Sequence, residues 1–222
     1  MMTHVPDVAR MIADLPAESA VLDIGCFGWR LAQACADHGH RLIGLDRTEP
    51  PGRPAGAGFA VMNDAQIDLA DDSGQLTVAA HVLEHMDQPI PFFAEVARVT
   101  APGGLIWIEA PSELSAIPRA SDDPADHAFV SFWDDPTHVR PWTPAAFYRL
   151  ALSCQCVPLG CGRAETGGIP VSRMLARKPL GVHGRPQTTY VSLLGVEPGL
   201  EAAWRATWPL HPDALKLIPG GR

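Results

Sequence analysis

The chain has 222 residues, 46% of them hydrophobic, which suits one α/β domain with an appendage and is enough to fill a core. Its 20 glycines and 22 prolines imply many loops without reaching a disordered composition, and a net charge of −8 with acids and bases interspersed offers no Lys/Arg block to nucleic acid. Neither a secretory leader nor a membrane span is expected, because Asp7, Arg10 and Asp14 interrupt the N-terminus and no stretch approaches ~18 uninterrupted apolar residues.

Residues 5–15 have helical periodicity, with Val8, Met11, Ile12 and Leu15 on one side and Pro16 as the stop. Residues 20–25 form a short apolar run ending in glycine, the pattern of a buried parallel strand. Residues 29–38 read as a helix that turns Leu31, Ala34 and Cys35 inward and stops at Gly39. A second buried strand follows at 41–46, and the Pro- and Gly-rich segment 48–58 is loop. A weaker strand at 58–62 ends at Asn63-Asp64, and another spans 75–80, before His81-Val82-Leu83-Glu84-His85. Phe92, Phe93, Val96 and Val99 predict a helix over 91–100, and Pro102-Gly103-Gly104 turns the chain into a strand at 105–109. Strands alternating with helices imply a mostly parallel sheet covered on both faces.

Residues 122–141 form a long loop rich in Asp, Pro and His, a length that in compact domains is usually functional or disordered. Thr143 and Pro144 then start a helix with Phe147, Leu150 and Ala151 on its apolar face. Residues 155–159 and 171–176 are a closing strand pair. The division is therefore 1–178 for the domain and 179–222 for an extension with one helix candidate at 200–208; lid, dimer arm and plain packing all stay open for it. Cys26, Cys35, Cys154, Cys156 and Cys161 read as buried free thiols in a reducing cytoplasm. Cys154-x-Cys156 with Cys161 lacks the paired spacing of a zinc site.

In an open α/β sheet the ligand sits beyond the carboxyl ends of the strands. The residues at those places are Asp23, Gly25, Cys26, Phe27 and Gly28, then Asp46 and Arg47, then Asn63 and Asp64, then Ala80 and His81. An acid after the second strand can accept hydrogen bonds from two ribose hydroxyls, and a polar side chain after the third can accept from an adenine amine. Gly25 lets the backbone approach a ligand, and Asp23 can receive an ammonium or tether the loop. A nicotinamide fingerprint would need glycines at 25, 27 and 30, where this chain has Gly25, Phe27 and Arg30.

His138, in the long loop, is a candidate general base with Asp135 as its partner; a loop-capping role is the alternative. His127, Asp134, Asp135 and His138 have ligand chemistry but match no metal-binding spacing, so no metal is expected. Phe129, Phe132, Trp133 and Trp142 wall an acceptor pocket or form core under the loop, with core favoured. Glu84 and His85 read as structural or supporting residues.

Val21-Leu22-Asp23-Ile24-Gly25-Cys26 resembles the first motif of the class I S-adenosylmethionine (SAM)-dependent methyltransferases, of the type 11-like kind. The runs His81 to His85, Glu95-Val96-Ala97-Arg98-Val99 and Pro102-Gly103-Gly104 resemble the region around that family's fourth and fifth strands. Asp135-Pro136-Thr137-His138-Val139-Arg140, with Trp142-Thr143-Pro144, resembles a segment of members that act on small molecules or glycans. The resemblance covers residues 18–178 and implies a Rossmann-like sheet of seven strands, the last antiparallel, with SAM as cofactor. It implies that Gly25 and its neighbours line the methionine part, Asp46 holds the ribose, and Asp64 and Ala65 hold the adenine. Ala80, His81 and Val82 would pass beneath the ligand. It further implies methyl transfer to a small-molecule or glycan-precursor acceptor, at oxygen, with a homodimer as an open possibility. The chain departs from the family pattern at Phe27 and Trp29, where glycines are usual, and at Gln75, where an acid is usual. A second reading follows from the aromatic pair: an inactive binding or assembly protein whose rings occupy the cofactor cleft.

Overall fold

The computed structural model describes residues 5–63, 66–116 and 131–186. In chain order these form α1 (Val8–Ala13), β1 (Ala20–Ile24), α2 (Ala32–Asp37), β2 (Arg41–Asp46), β3 (Gly58–Val61) and β4 (Gly74–Ala80). Then come α3 (Pro89–Val99), β5 (Thr100–Pro111), α4 (Pro144–Ser153), β6 (Val157–Thr166) and β7 (Ile169–Arg177). The seven strands make one sheet in the order β3-β2-β1-β4-β5-β7-β6. The first five pair in parallel, while β7 runs antiparallel to both β5 and β6. This is the expected Rossmann-like sheet, with β7 as the reversed strand.

Burial on both faces explains the unbroken apolar character of β1, all five of whose residues are buried. Side chains alternate across a strand. Leu22 and Ile24 accordingly join the core formed with α3 and α4, while Val21 joins the core formed with α1, Trp29 and Leu31. Thr143 caps α4 by accepting from the Ala146 N–H at 3.0 Å, with Pro144 in the first turn.

Five elements differ from the sequence expectation. The helix expected at 29–38 begins only at Ala32, because Gly28 (φ 74°) and Trp29 (φ 51°) are left-handed and a right-handed helix cannot include them. A 3₁₀ turn over Phe27–Trp29 stands there instead. The first helix is shorter than 5–15 and starts after Asp7, whose carboxylate accepts from the Arg10 N–H at 3.0 Å. β5 begins at Thr100 rather than 105: its register with β4 jumps from Gly74↔Thr100 to Leu76↔Leu105, so Pro102-Gly103-Gly104 is a bulge inside the strand. β6 and β7 are longer than the expected pair because they form an antiparallel hairpin that continues to Thr166↔Ile169. The helix candidate at 200–208 lies outside the described residues.

The fully buried Lys178 ties the end of β7 to the corner between α3 and β5. Its Nζ donates to Asp72 Oδ1 at 2.6 Å, the Thr100 carbonyl at 2.8 Å and the Gly184 carbonyl at 3.0 Å. All five cysteines are free and buried. Burial pushes the Cys26, Cys154 and Cys161 thiols up to about 12 and Cys35 to about 11. No described helix is long and apolar enough to cross a membrane.

The Trp29 indole lies on β2 where Gly44 leaves room; a Cβ at Gly44 would stand 2.5 Å from the ring. Gly44→Val is therefore expected to destabilise the fold by about 2–3 kcal/mol, read by urea unfolding with an unchanged m-value.

Candidate active site

Parallel pairing puts the carboxyl ends of β1 to β5 on one edge. Ile24 pairs with Leu45 and with Ala79, so Gly25, Asp46 and Ala80 are neighbours across three strands. Asp46 in turn pairs with Val61, which brings Asn63 close behind β3. Asp64 and Ala65 lie outside the described residues.

Two constraints hold Gly25. Its φ of +71° is left-handed, and a Cβ there would stand 2.6 Å from Val82 Cγ2. The Gly25 and Cys26 N–H groups both donate to the Leu45 carbonyl, at 2.8 and 3.3 Å, which closes the turn against β2. Asp46 Oδ1 accepts from the Arg47 N–H at 2.7 Å, which leaves Oδ2 for a ligand hydroxyl.

The two departing aromatics do not pack together over this turn. Trp29 is buried in the core, its Nε1 donating to the Pro50 carbonyl at 3.4 Å and its ring edge-on to Phe59. Phe27 is 79% exposed. Gly28 keeps the left-handed turn between them (φ 74°).

Asp23 is only 3% exposed. Burial pushes its carboxyl up to about 7, Arg30 opposes the shift and Asp46 adds to it. His81, at the end of β4, has φ 57°, and its N–H donates to the Glu109 carbonyl at 2.8 Å. That backbone turn sets the imidazole between two buried carboxylates: Nε2 is 3.3 Å from Glu109 Oε1, and Nδ1 is 3.3 Å from Glu84 Oε1. Contact with Glu109 first, then Glu84, pushes His81 up to about 9 against the effect of burial, so the ring is cationic at neutral pH. Burial alone would raise Glu109. Its partners His81, Arg173 and Thr166 instead hold it below the usual range, with Arg173 Nε at 2.5 Å and Thr166 Oγ1 at 3.0 Å. Glu109 and Arg173 were not singled out in the sequence. Glu109 is an acid at the carboxyl end of a strand, so the rule applied to Asp46 would have found it; Arg173 comes from β7, and no local pattern points to it.

The loop after residue 130 folds back onto this edge. The Val139 N–H donates to the Glu84 carbonyl at 2.7 Å, and Arg140 Nη2 to the Asp87 carbonyl at 2.9 Å. His138 Nδ1 bonds the Phe132 carbonyl at 2.7 Å, and its Nε2 lies 3.7 Å from Asp135 Oδ2. Asp135 Oδ1 accepts from the Thr137 N–H and hydroxyl, which hold this exposed carboxyl below its usual range. Phe132 and Trp142 are buried, Trp142 stacking on Phe147 at 5.0 Å, whereas Trp133 is 59% exposed. His127 and Phe129 lie outside the described residues.

The family model described as a methyltransferase domain matches residues 22–108. Those residues resemble that family, and the fold is one shared with solved methyltransferase structures. An uncharacterized methyltransferase of Mycobacterium avium is 35% identical over 116 residues, which is 45% of this chain and 45% of that protein. The chain thus spans under half the length of the curated relatives it matches. The 1,6-didemethyltoxoflavin-N1-methyltransferase of Burkholderia thailandensis, solved with 1,6-didemethyltoxoflavin and S-adenosylhomocysteine bound, aligns with TM-score 0.58 at 21% identity over 77% of this chain and 76% of that one. The cyclase SpnF aligns equally well, with TM-score 0.58 at 16% identity over 78% and 81%. The fold therefore does not by itself decide the chemistry.

The buried Asp23 sets a pH dependence. The unfolded chain releases this proton above about 3.8, while the folded chain keeps it to about 7, so stability falls as pH rises between them. Asp23→Asn removes that loss. It is expected to raise Tm by ~5 °C at pH 8 and by less at pH 5, measured by thermal melts without ligand.

Proposed function

We propose that this chain binds SAM at the carboxyl edge of the sheet and transfers its methyl group to an oxygen of a small-molecule or glycan-precursor acceptor. The observation that carries the reading is the convergence of Asp23, Gly25, Asp46 and Val82 on adjacent strand ends, with glycine required at 25 by both φ and the Val82 contact. When bound, the cofactor supplies an electron-poor methyl carbon on a sulfonium. Asp46 Oδ2 accepts from the ribose. Asp23, desolvated and near neutrality, ionises when a ligand ammonium arrives beside it. Gly25, Cys26, Phe27 and Gly28 border the methionine portion, and Ala80, His81 and Val82 form the floor. Arg47 and Asn63, with Asp64 and Ala65 by their position after β3, belong to the nucleoside side.

With the cofactor held by these residues, its sulfonium would supply the methyl group to an acceptor oxygen by displacement of the thioether. His138 serves the acceptor hydroxyl on the other side of the edge. Without a metal, its Nε2 takes the proton and Asp135 stabilises the resulting imidazolium. The buried free thiols support a reducing compartment. The inactive reading loses its motive once Trp29 is in the core and Phe27 points to solvent.

Calorimetry with SAM and S-adenosylhomocysteine tests the proposal. Saturable binding of both is expected, weakened about 10–100-fold by Asp46→Ala, the loss that follows when a charged hydrogen-bond acceptor is removed. No binding of either at millimolar ligand would overturn it. SAM affinity is also expected to fall as pH drops below about 7, where Asp23 is protonated, and Asp23→Asn should flatten that dependence.

A further inference from the structure

We propose that Glu84, His85 and His138 form a binding site for a divalent transition-metal ion. One ligating atom from each lies within 4.8 Å of the others. The sequence spacing conceals this set, because the loop 131–142 crosses back over 50 residues to reach the turn after β4.

The cluster carries a surplus of acceptors. Glu84 is 0% exposed, and among the described residues neither carboxylate oxygen has a hydrogen bond. His81 stands 3.3 Å from Oε1 without hydrogen-bond alignment, and Oε2 has no partner among the described residues. A buried carboxylate oxygen without a partner is costly unless a hydrogen-bond donor or a cation reaches it. Both imidazoles add lone pairs to the deficit. His138 Nδ1 bonds the Phe132 carbonyl at 2.7 Å, so that nitrogen donates and Nε2 keeps its lone pair. His85 Nδ1 bonds Thr137 Oγ1 at 2.9 Å. The single Thr137 hydroxyl proton goes to Asp135 Oδ1 at 2.6 Å, so His85 Nδ1 must donate to Thr137, and its Nε2 is also left as an acceptor. Bonds of this kind on the second ring nitrogen are what orient metal-binding histidines.

The geometry is held in place before any ion arrives. The Val139 and Arg140 contacts strap the loop to the 84–87 turn, and the His85 and His138 rings lie 4.8 Å apart between centroids. Bond lengths near 2.0–2.2 Å require the widest ligand pair to close by about 1 Å, which a half-buried histidine can supply by a small ring rotation. Two imidazoles and one carboxylate suit zinc or iron rather than magnesium or calcium, and three protein ligands leave positions for water or another oxygen. Asp135 Oδ2, 3.7 Å from His138 Nε2, is placed to complete or orient the set. Metal ligation and proton uptake at His138 Nε2 exclude one another. A role for the ion in holding an acceptor oxygen rests on the methyltransferase reading; the binding itself does not.

The test uses the full chain, stripped with chelator and titrated with Zn²⁺ by calorimetry and with Co²⁺ by visible absorption, both without SAM. One equivalent is expected to saturate, with a Co²⁺ spectrum of nitrogen and oxygen ligands and no thiolate charge-transfer band. His85→Ala and His138→Ala should each weaken binding more than about 100-fold. Thr137→Val, which frees the His85 ring, should weaken it about 10–100-fold. His183→Ala, a histidine on the far exposed corner with Asp72, should change nothing. The half-exposed His85 makes its variant the one expected to keep the wild-type circular dichroism and melting profile. No saturable binding, a thiolate band, or affinity unchanged in both His85→Ala and His138→Ala would overturn the proposal. Loss of SAM binding with retained metal binding would fail the methyltransferase reading alone.

Discussion

Three carboxylates, those of Asp23, Glu84 and Glu109, are buried along one edge of the sheet, and each meets the cost of desolvation differently. Asp23 holds its proton to about pH 7. Glu109 stays ionised because Arg173, Thr166 and His81 surround it. Glu84 has His81 3.3 Å from Oε1 and, among the described residues, no hydrogen-bond partner at Oε2. His81 links the last two, and its left-handed φ is what points the ring between them. An isolated buried charge is too costly to be carried for packing alone. On the readings proposed above, a ligand ammonium would meet Asp23 and a metal ion would meet Glu84.

The sheet supplies the edge. Five parallel strands end on the same side, and the reversed β7 brings Arg173 to that side from the far end of the chain. Close approach is obtained at two glycines. Gly25 admits Val82 from the turn after β4, and Gly44 admits the Trp29 ring from the opposite face. The second of these resolves the oddity of an aromatic residue in the first loop: Trp29 is part of the core under β2, so the turn keeps its left-handed shape without a glycine at that place.

The proposed cofactor positions and the Glu84–His85–His138 cluster are two halves of one edge, meeting at Ala80–His81–Val82. On the proposed methyltransferase reading, one half would carry the sulfonium and the other would present the acceptor. SpnF shares this fold under the name of a cyclase, so the side chains and not the sheet decide the chemistry.

Local sequence determined the parallel core, the strand-end acids and the capped helix at Thr143, because those depend on periodicity and on single residues at strand and helix ends. It also marked Asp23, Gly25 and Asp46, each the acid or glycine that follows an apolar run. The late helix start at Ala32 was not legible, because left-handed φ at Trp29 is imposed by packing on Gly44 and no propensity of tryptophan foretells it. The bulge at Pro102–Gly104 was likewise hidden, since strand pairing and not composition fixes where β5 begins. Glu109 with Arg173, and Glu84 with His138, are separated by more than 50 residues, so only tertiary structure could join them. The physical reason is the same in each case: a charge at a strand end is visible in sequence, but the partner that balances it is chosen by the fold.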